Sequence, residues 1–250
     1  MTADITENIG KTKKCLTLRF LRNKEVVQHL KFEGDRIIEE LASFCKQNKS
    51  LINETNKVTI YAKNLPFEYV QIFKNINTLH ISTAYPLKFP DLKNLNTLSS
   101  VHINQLNKPT DLKNLSTIKN LKELYIGDFT FNAPIRIDNF DEIIQCKKLE
   151  KIFLSNAKFD EAELKRITAL KSLKDFTVNQ RIETDTLAYL AAKLPYVRSN
   201  ELKAWQSCTT SWGDVKINGK RKPYLFKDKD QEKIKKYEAQ FEALKNKYLN

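Results

Sequence analysis

Through the middle of the chain, apolar residues return at a fixed local spacing. Ile76, Leu79 and Ile81 fit apolar-x-x-apolar-x-apolar. So do Leu98, Val101 and Ile103; Leu121, Leu124 and Ile126; Leu149, Ile152 and Leu154; and Leu173, Phe176 and Val178. A weaker copy ends in Val58-Thr-Ile60, and a degenerate one is Leu194-Pro-Tyr-Val197. Successive copies are offset by 21, 22, 23, 28, 24 and 21 residues. The last three positions of each copy alternate with period two, which predicts a short strand buried on one face. Between copies the spacing turns helical, most clearly at Leu164, Ile167 and Leu170 in the segment that Asp160 opens. Asp91, Asp111, Asp141 and Asp185 stand at equivalent starts, where a carboxylate can accept free backbone N–H groups.

Over residues 56–200 this pattern resembles the leucine-rich-repeat family. The resemblance implies an α/β solenoid, with a parallel sheet on the concave side and helical segments on the convex side. Stacking is compulsory in such a design, because each unit leaves an apolar face that only its neighbours cover. The sequence departs from the family at one position. Three residues after the strand motif, where the family places Asn or Cys, it has Ala84, Leu106, Phe129, Ala157 and Arg181. A flatter, less uniform arc is the expectation. The 28-residue copy, containing Pro134 to Phe140, is expected to bulge as a longer loop.

The flanks read as αβ caps, dividing the chain into an N-terminal cap (1–55), the repeats (56–200) and a C-terminal cap (201–250). Residues 15–32 alternate as a hairpin, and Asp35 begins an amphipathic helix to Cys45. At the other end Asn218-Gly219 suits a tight hairpin turn. Ile234, Tyr237, Phe241, Leu244 and Tyr248 form one helical stripe, either docked on the last repeat or free for a partner.

In each strand the middle residue faces away from the core. Read down the repeats, that row is Thr59, His80, His102, Tyr125, Phe153, Thr177. With strands about 4.8 Å apart it extends about 24 Å. Four consecutive members carry rings, the kind of anchor that protein interfaces favour. The preceding row is Lys57, Thr78, Ser100, Glu123, Lys151, Asp175, whose opposite charges on neighbouring strands can pair. The following row, Tyr61, Ser82, Asn104, Gly127, Ser155, Asn179, is small or neutral. Leucine-rich-repeat proteins commonly bind partners with this surface. The resemblance therefore implies a protein-binding module whose partner meets His80, His102, Tyr125, Phe153 and Thr177 with Glu123, Lys151 and Asp175. Stacking of the rings on one another alone is the competing reading.

The net charge of +13 adds an alternative. Residues 201–250 hold 12 basic against 7 acidic groups. Lys216, Lys220, Arg221 and Lys222 there lie near Tyr224 and Phe226, a mixture suited to nucleic acid or an acidic partner. A nearly uncharged concave face argues against nucleic acid in the arc itself, since neutralising phosphates takes Lys and Arg. Two adjacent histidines without a carboxylate or thiolate make a poor metal site, so neither metal nor cofactor is expected. Nucleophile-elbow, Walker, Rossmann, HExxH and kinase motifs are absent, so an enzyme is not expected. Cys15, Cys45, Cys146 and Cys208 form no CxxC pair and read as free thiols of a reducing compartment. No secretory signal or long apolar span stands in the sequence, and a cytoplasmic location is the expectation.

Overall fold

A computed structural model describes residues 15–22, 25–33, 37–63, 68–83, 91–104, 112–127, 134–179 and 181–249. The chain is a mixed α/β structure around a parallel sheet of six strands. Those strands are β3 (Lys57–Lys63), β4 (Thr78–Thr83), β5 (Ser100–Asn104), β6 (Glu123–Ile126), β8 (Lys151–Ser155) and β10 (Asp175–Asn179). An antiparallel hairpin, β1 (Cys15–Arg22) and β2 (Glu25–Glu33), extends the sheet beyond β3.

The register is that of the sequence pattern. Val58, Leu79, Val101, Leu124, Ile152 and Phe176 stand side by side, and Ile60, Ile81, Ile103, Ile126, Leu154 and Val178 form the second core row. All twelve are at most 1% exposed, so each strand turns one apolar face wholly inward. One backbone ladder joins the turns that enter the strands. The amides of Asn77, Ser99, Lys122, Glu150, Lys174 and Arg198 donate to the carbonyls of Asn56, Asn77, Ser99, Lys122, Glu150 and Lys174, at 2.7–2.9 Å.

That ladder corrects the final repeat. The step from Lys174 to Arg198 is 24 residues, and Arg198 bridges Asp175, so the strand-entry position is Arg198 and not the residue the Val197 alignment gave. The 28-residue copy is corrected in part, for its residues 128–133 lie outside the described residues. Residues 134–140 do not bulge: β7 (Ile135–Arg136) pairs in parallel with β9 (Ala157–Lys158) in a sheet of its own. Ile135, Ile137 and Phe140 are buried at 2%, 2% and 0% exposure, and burial of three large apolar groups draws the segment inward.

Helices and 3-10 turns connect the strands, and their buried side chains share one apolar cluster with the core rows. Helix α1 (Ile37–Gln47) and α2 (Lys49–Glu54) precede β3; Asp35, expected to cap the first, lies outside the described residues. Later come α3 (Asp141–Gln145), α4 (Glu161–Lys165) with a 3-10 turn at Arg166–Ala169, and α5 (Thr184–Lys193). Of the expected caps, Asp160 accepts from the amide of Ala162 at 2.8 Å and Asp91 from that of Lys93 at 3.0 Å. Asp141 and Asp185 lie one and two residues inside their helices, and Asp111 lies outside the described residues. Carboxylates there still favour the positive end of the helix.

The last segment forms an antiparallel sheet of β11 (Trp205–Thr210), β12 (Gly213–Ile217) and β13 (Tyr224–Leu225), followed by α6 (Gln231–Lys247). Asn218-Gly219 does not make a tight turn. It opens a six-residue connection, because the Asn218 side chain is used elsewhere. Its amide nitrogen donates to the carbonyls of Asn200 and Lys203, and its oxygen accepts from Gln206. Ile234 and Phe241 of α6 are buried, and the Tyr248 hydroxyl donates to the Asp185 carboxylate at 2.7 Å. No described helix is long and apolar enough to cross a membrane.

Candidate functional site

The parallel register aligns Thr59, His80, His102, Tyr125, Phe153 and Thr177 as direct neighbours. Four rings run through the centre of this row. His80 and His102 stack with centroids 3.9 Å apart, and His102 and Tyr125 with centroids 4.0 Å apart and planes inclined by 13°. Tyr125 and Phe153 are tilted at 5.8 Å. The spacing follows the sheet: rings on successive parallel strands are brought together by strand separation itself.

Stacking takes the imidazoles out of water. Burial, aided by the positive charge of Lys57, lowers the His80 pKa to about 4. Burial, His80, Lys57 and Lys151 together lower that of His102 to about 3. Both rings are therefore neutral at physiological pH, and the centre of the row is uncharged. His80 Nε2 is buried and has no hydrogen-bond partner among the described residues, a cost of about 1–3 kcal/mol. His102 Nε2 lies 3.2 Å from the Ser100 hydroxyl, which also lies 3.2 Å from Glu123 Oε2. A carboxylate only accepts, so Ser100 donates its one proton to Glu123 and His102 Nε2 must carry a proton and donate to Ser100. Glu123 also accepts from the Tyr125 hydroxyl at 3.5 Å.

Across the charged flank the opposite charges of Glu123 and Asp175 on the neighbouring strands help to raise the Lys151 pKa. Among the described residues Glu123 and Lys151 make no direct ion pair. Lys151 places its ammonium 5.2 Å from the Tyr125 ring centroid, and its pKa is raised first by a hydrogen bond to that tyrosine. Asp175 pairs with Arg198 at 2.8 Å, a partner that the sequence reading missed through its misplaced last repeat. Counting one full 24-residue step from Lys174 would have found it. In the following row, Gly127 has φ +88°, and a Cβ there would sit 1.5 Å from the Ser155 carbonyl oxygen, so only glycine fits.

The four basic residues of the C-terminal segment have different surroundings. Lys220 is ion-paired to Glu183 at 3.0 Å, and Lys222 lies 5.1 Å from the Tyr237 ring centroid. Lys216, Arg221 and Lys222 line a common cavity. Among the described residues no group of three or more metal-ligating side chains comes together. Cys45 and Cys146 are buried free thiols, and burial pushes that of Cys146 up to about 12.

No protein-family model and no curated protein matches the sequence. Among solved structures the chain is similar to a leucine-rich-repeat protein of Leptospira interrogans, with 20% identity, a TM-score of 0.42, and 56% of this chain and 34% of the other covered. It is also similar to internalin C2 of Listeria monocytogenes (18% identity, TM-score 0.37, 65% and 77% covered) and internalin F of the same organism (16%, 0.37, 65% and 54%). All three are leucine-rich-repeat proteins. The chain thus spans about a third of the Leptospira protein's length. Its own in-register rows carry the leucine-rich-repeat reading at residue level.

Proposed function

We propose that this chain is a non-catalytic protein-binding module that recognises a partner through the ring-bearing face of its parallel sheet. His80, His102, Tyr125 and Phe153 form the centre, with Thr177, Glu123, Lys151 and Asp175 at its borders. The observation that carries this reading is the continuous stack of neutral rings on the face opposite the core. Such a surface offers large apolar area in side chains already fixed by their neighbours, so little rotamer freedom is lost on binding. Adaptor, effector and toxin-neutralising immunity roles all fit it.

Capture of partners from the native host tests the proposal. The wild-type chain is expected to retain a partner that the folded Tyr125→Ala/Phe153→Ala variant loses. Equal retention by the double variant removes the face from consideration. Nucleic acid along the basic hairpin is the less supported reading. Lys220 is engaged by Glu183, and the remaining cations gather around one cavity, whereas a nucleic-acid backbone needs charges along a track.

A further inference from the structure

Between the end of β10 and the connection from β12 to β13 lies a cavity of about 530 Å³. Its walls carry Arg181, Lys216, Arg221 and Lys222 against the single carboxylate of Glu201. That carboxylate already accepts from Ser199 at 2.9 Å. None of the four cations enters an ion pair among the described residues, although Lys220, next to them in sequence, does. Four cationic residues against one carboxylate give the walls of this space a net positive charge, which favours an anion there.

The loop that carries two of them, Arg221 and Lys222, is held in place. Asn218, 3% exposed, ties its start through three side-chain hydrogen bonds. Gly219 has φ +130°, and a Cβ there would lie 2.2 Å from the Thr184 hydroxyl oxygen, so the loop is pressed onto α5. Arg221 itself has φ +58°, a left-handed backbone that costs a residue with a Cβ about 1–2 kcal/mol. Lys222, its ammonium 5.1 Å from the Tyr237 ring centroid, borders a second cavity beside that ring as well. A left-handed backbone at a cationic residue that lines a cavity is the arrangement expected where strain serves binding.

We propose that this cavity is a binding site for a phosphomonoester group, held by Arg181, Lys216, Arg221 and Lys222. Two guanidinium forks and two ammonium groups match a dianion with three acceptor oxygens better than they match one carboxylate. The volume leaves room for the body that carries the phosphate. The site is independent of the ring face, and each can fail without the other.

Calorimetric titration with O-phosphoserine at fixed ionic strength tests it. Saturable one-to-one binding is expected, weakened at least about tenfold by Arg221→Gly and by Lys216→Met, since each removes a charge-assisted hydrogen bond. Lys220→Ala should leave it within about twofold, because that ammonium is neutralised by Glu183. Arg221→Gly suits its left-handed backbone and is expected to melt no lower than the wild type, which separates lost binding from lost folding. Affinity should fall as pH drops below about 6, where the phosphomonoester loses its second charge. Tighter binding of a phosphoserine peptide assigns the group to a partner chain, and tighter binding of the free amino acid assigns it to a small molecule; either supports the site. No saturation, an unchanged affinity in Arg221→Gly, equal affinity for succinate, or preference for a single-stranded oligonucleotide overturns it.

Discussion

At the scale of single residues, the stacked imidazoles set a pH dependence. His80 and His102 titrate near pH 6.5 when unfolded but at about 4 and about 3 when folded. Between these values the unfolded chain binds more protons, so stability must fall as the solution is acidified from pH 6.5 and level off only below the folded pKa values. Urea denaturation at pH 7.5, 6 and 5 is expected to show this decline, with a shallower slope for His102→Phe, which keeps the stack but not the titration. An equal slope in that variant would mean that the ring is not held neutral by burial. Row membership was legible in the sequence because period-two alternation fixes which face a residue takes once its neighbours are known. The Ser100–Glu123–Tyr125 hydrogen bonds were not, since they depend on rotamers that spacing leaves open.

At the scale of elements, side-chain hydrogen bonds tie neighbouring repeats together. Side chains on the helical side reach backbone groups about one repeat away. Glu142 accepts from the amide and hydroxyl of Ser116, Glu163 from the amide of Phe140, and Glu161 from that of Glu183. Thr97 and Asn120 donate to the carbonyls of Ile76 and Asn96. Glu163→Ala leaves the part-buried Phe140 amide without its acceptor and is expected to cost about 1–3 kcal/mol. Lys93→Ala removes only an exposed pair with Asp91 and should leave stability almost unchanged. Chemical denaturation of the two variants distinguishes these magnitudes. None of these bridges showed in the sequence, because Glu and Thr on a polar helical face look like ordinary solvated positions. The inward turn of residues 134–140 was hidden for a similar reason: Ile135 and Ile137 alternate over too short a span to announce a strand.

At the scale of the whole molecule, one apolar core runs from Leu41 to Phe241, while Val215, Ile217, Leu225 and Ile234 form a second, small cluster. Helix α6 belongs to both, through Phe241 and Ile234. A cluster of four residues gives little cooperativity, so amides of β12 and β13 should exchange with solvent at lower opening free energy than those of β5, β6 and β8. Hydrogen-exchange mass spectrometry reads the difference directly; uniform protection would show a single cooperative unit. The architecture of the repeats was legible because their strands repeat the same burial many times over. The cavity near Arg221 was not, since its walls come from β10, β12 and a loop more than thirty residues apart in sequence.

The alternation of these strands also has a meaning for inheritance. Leu124 and Ile126 are sealed inside, while Tyr125, between them, contributes nothing to the core. A lineage can therefore exchange the ring row residue by residue without emptying the core beneath it. Gly127, two positions along, has no such freedom. Under the proposed function, recognition can drift quickly while the frame that presents it stands still, and a designer wishing to redirect the surface would begin at the four ring positions.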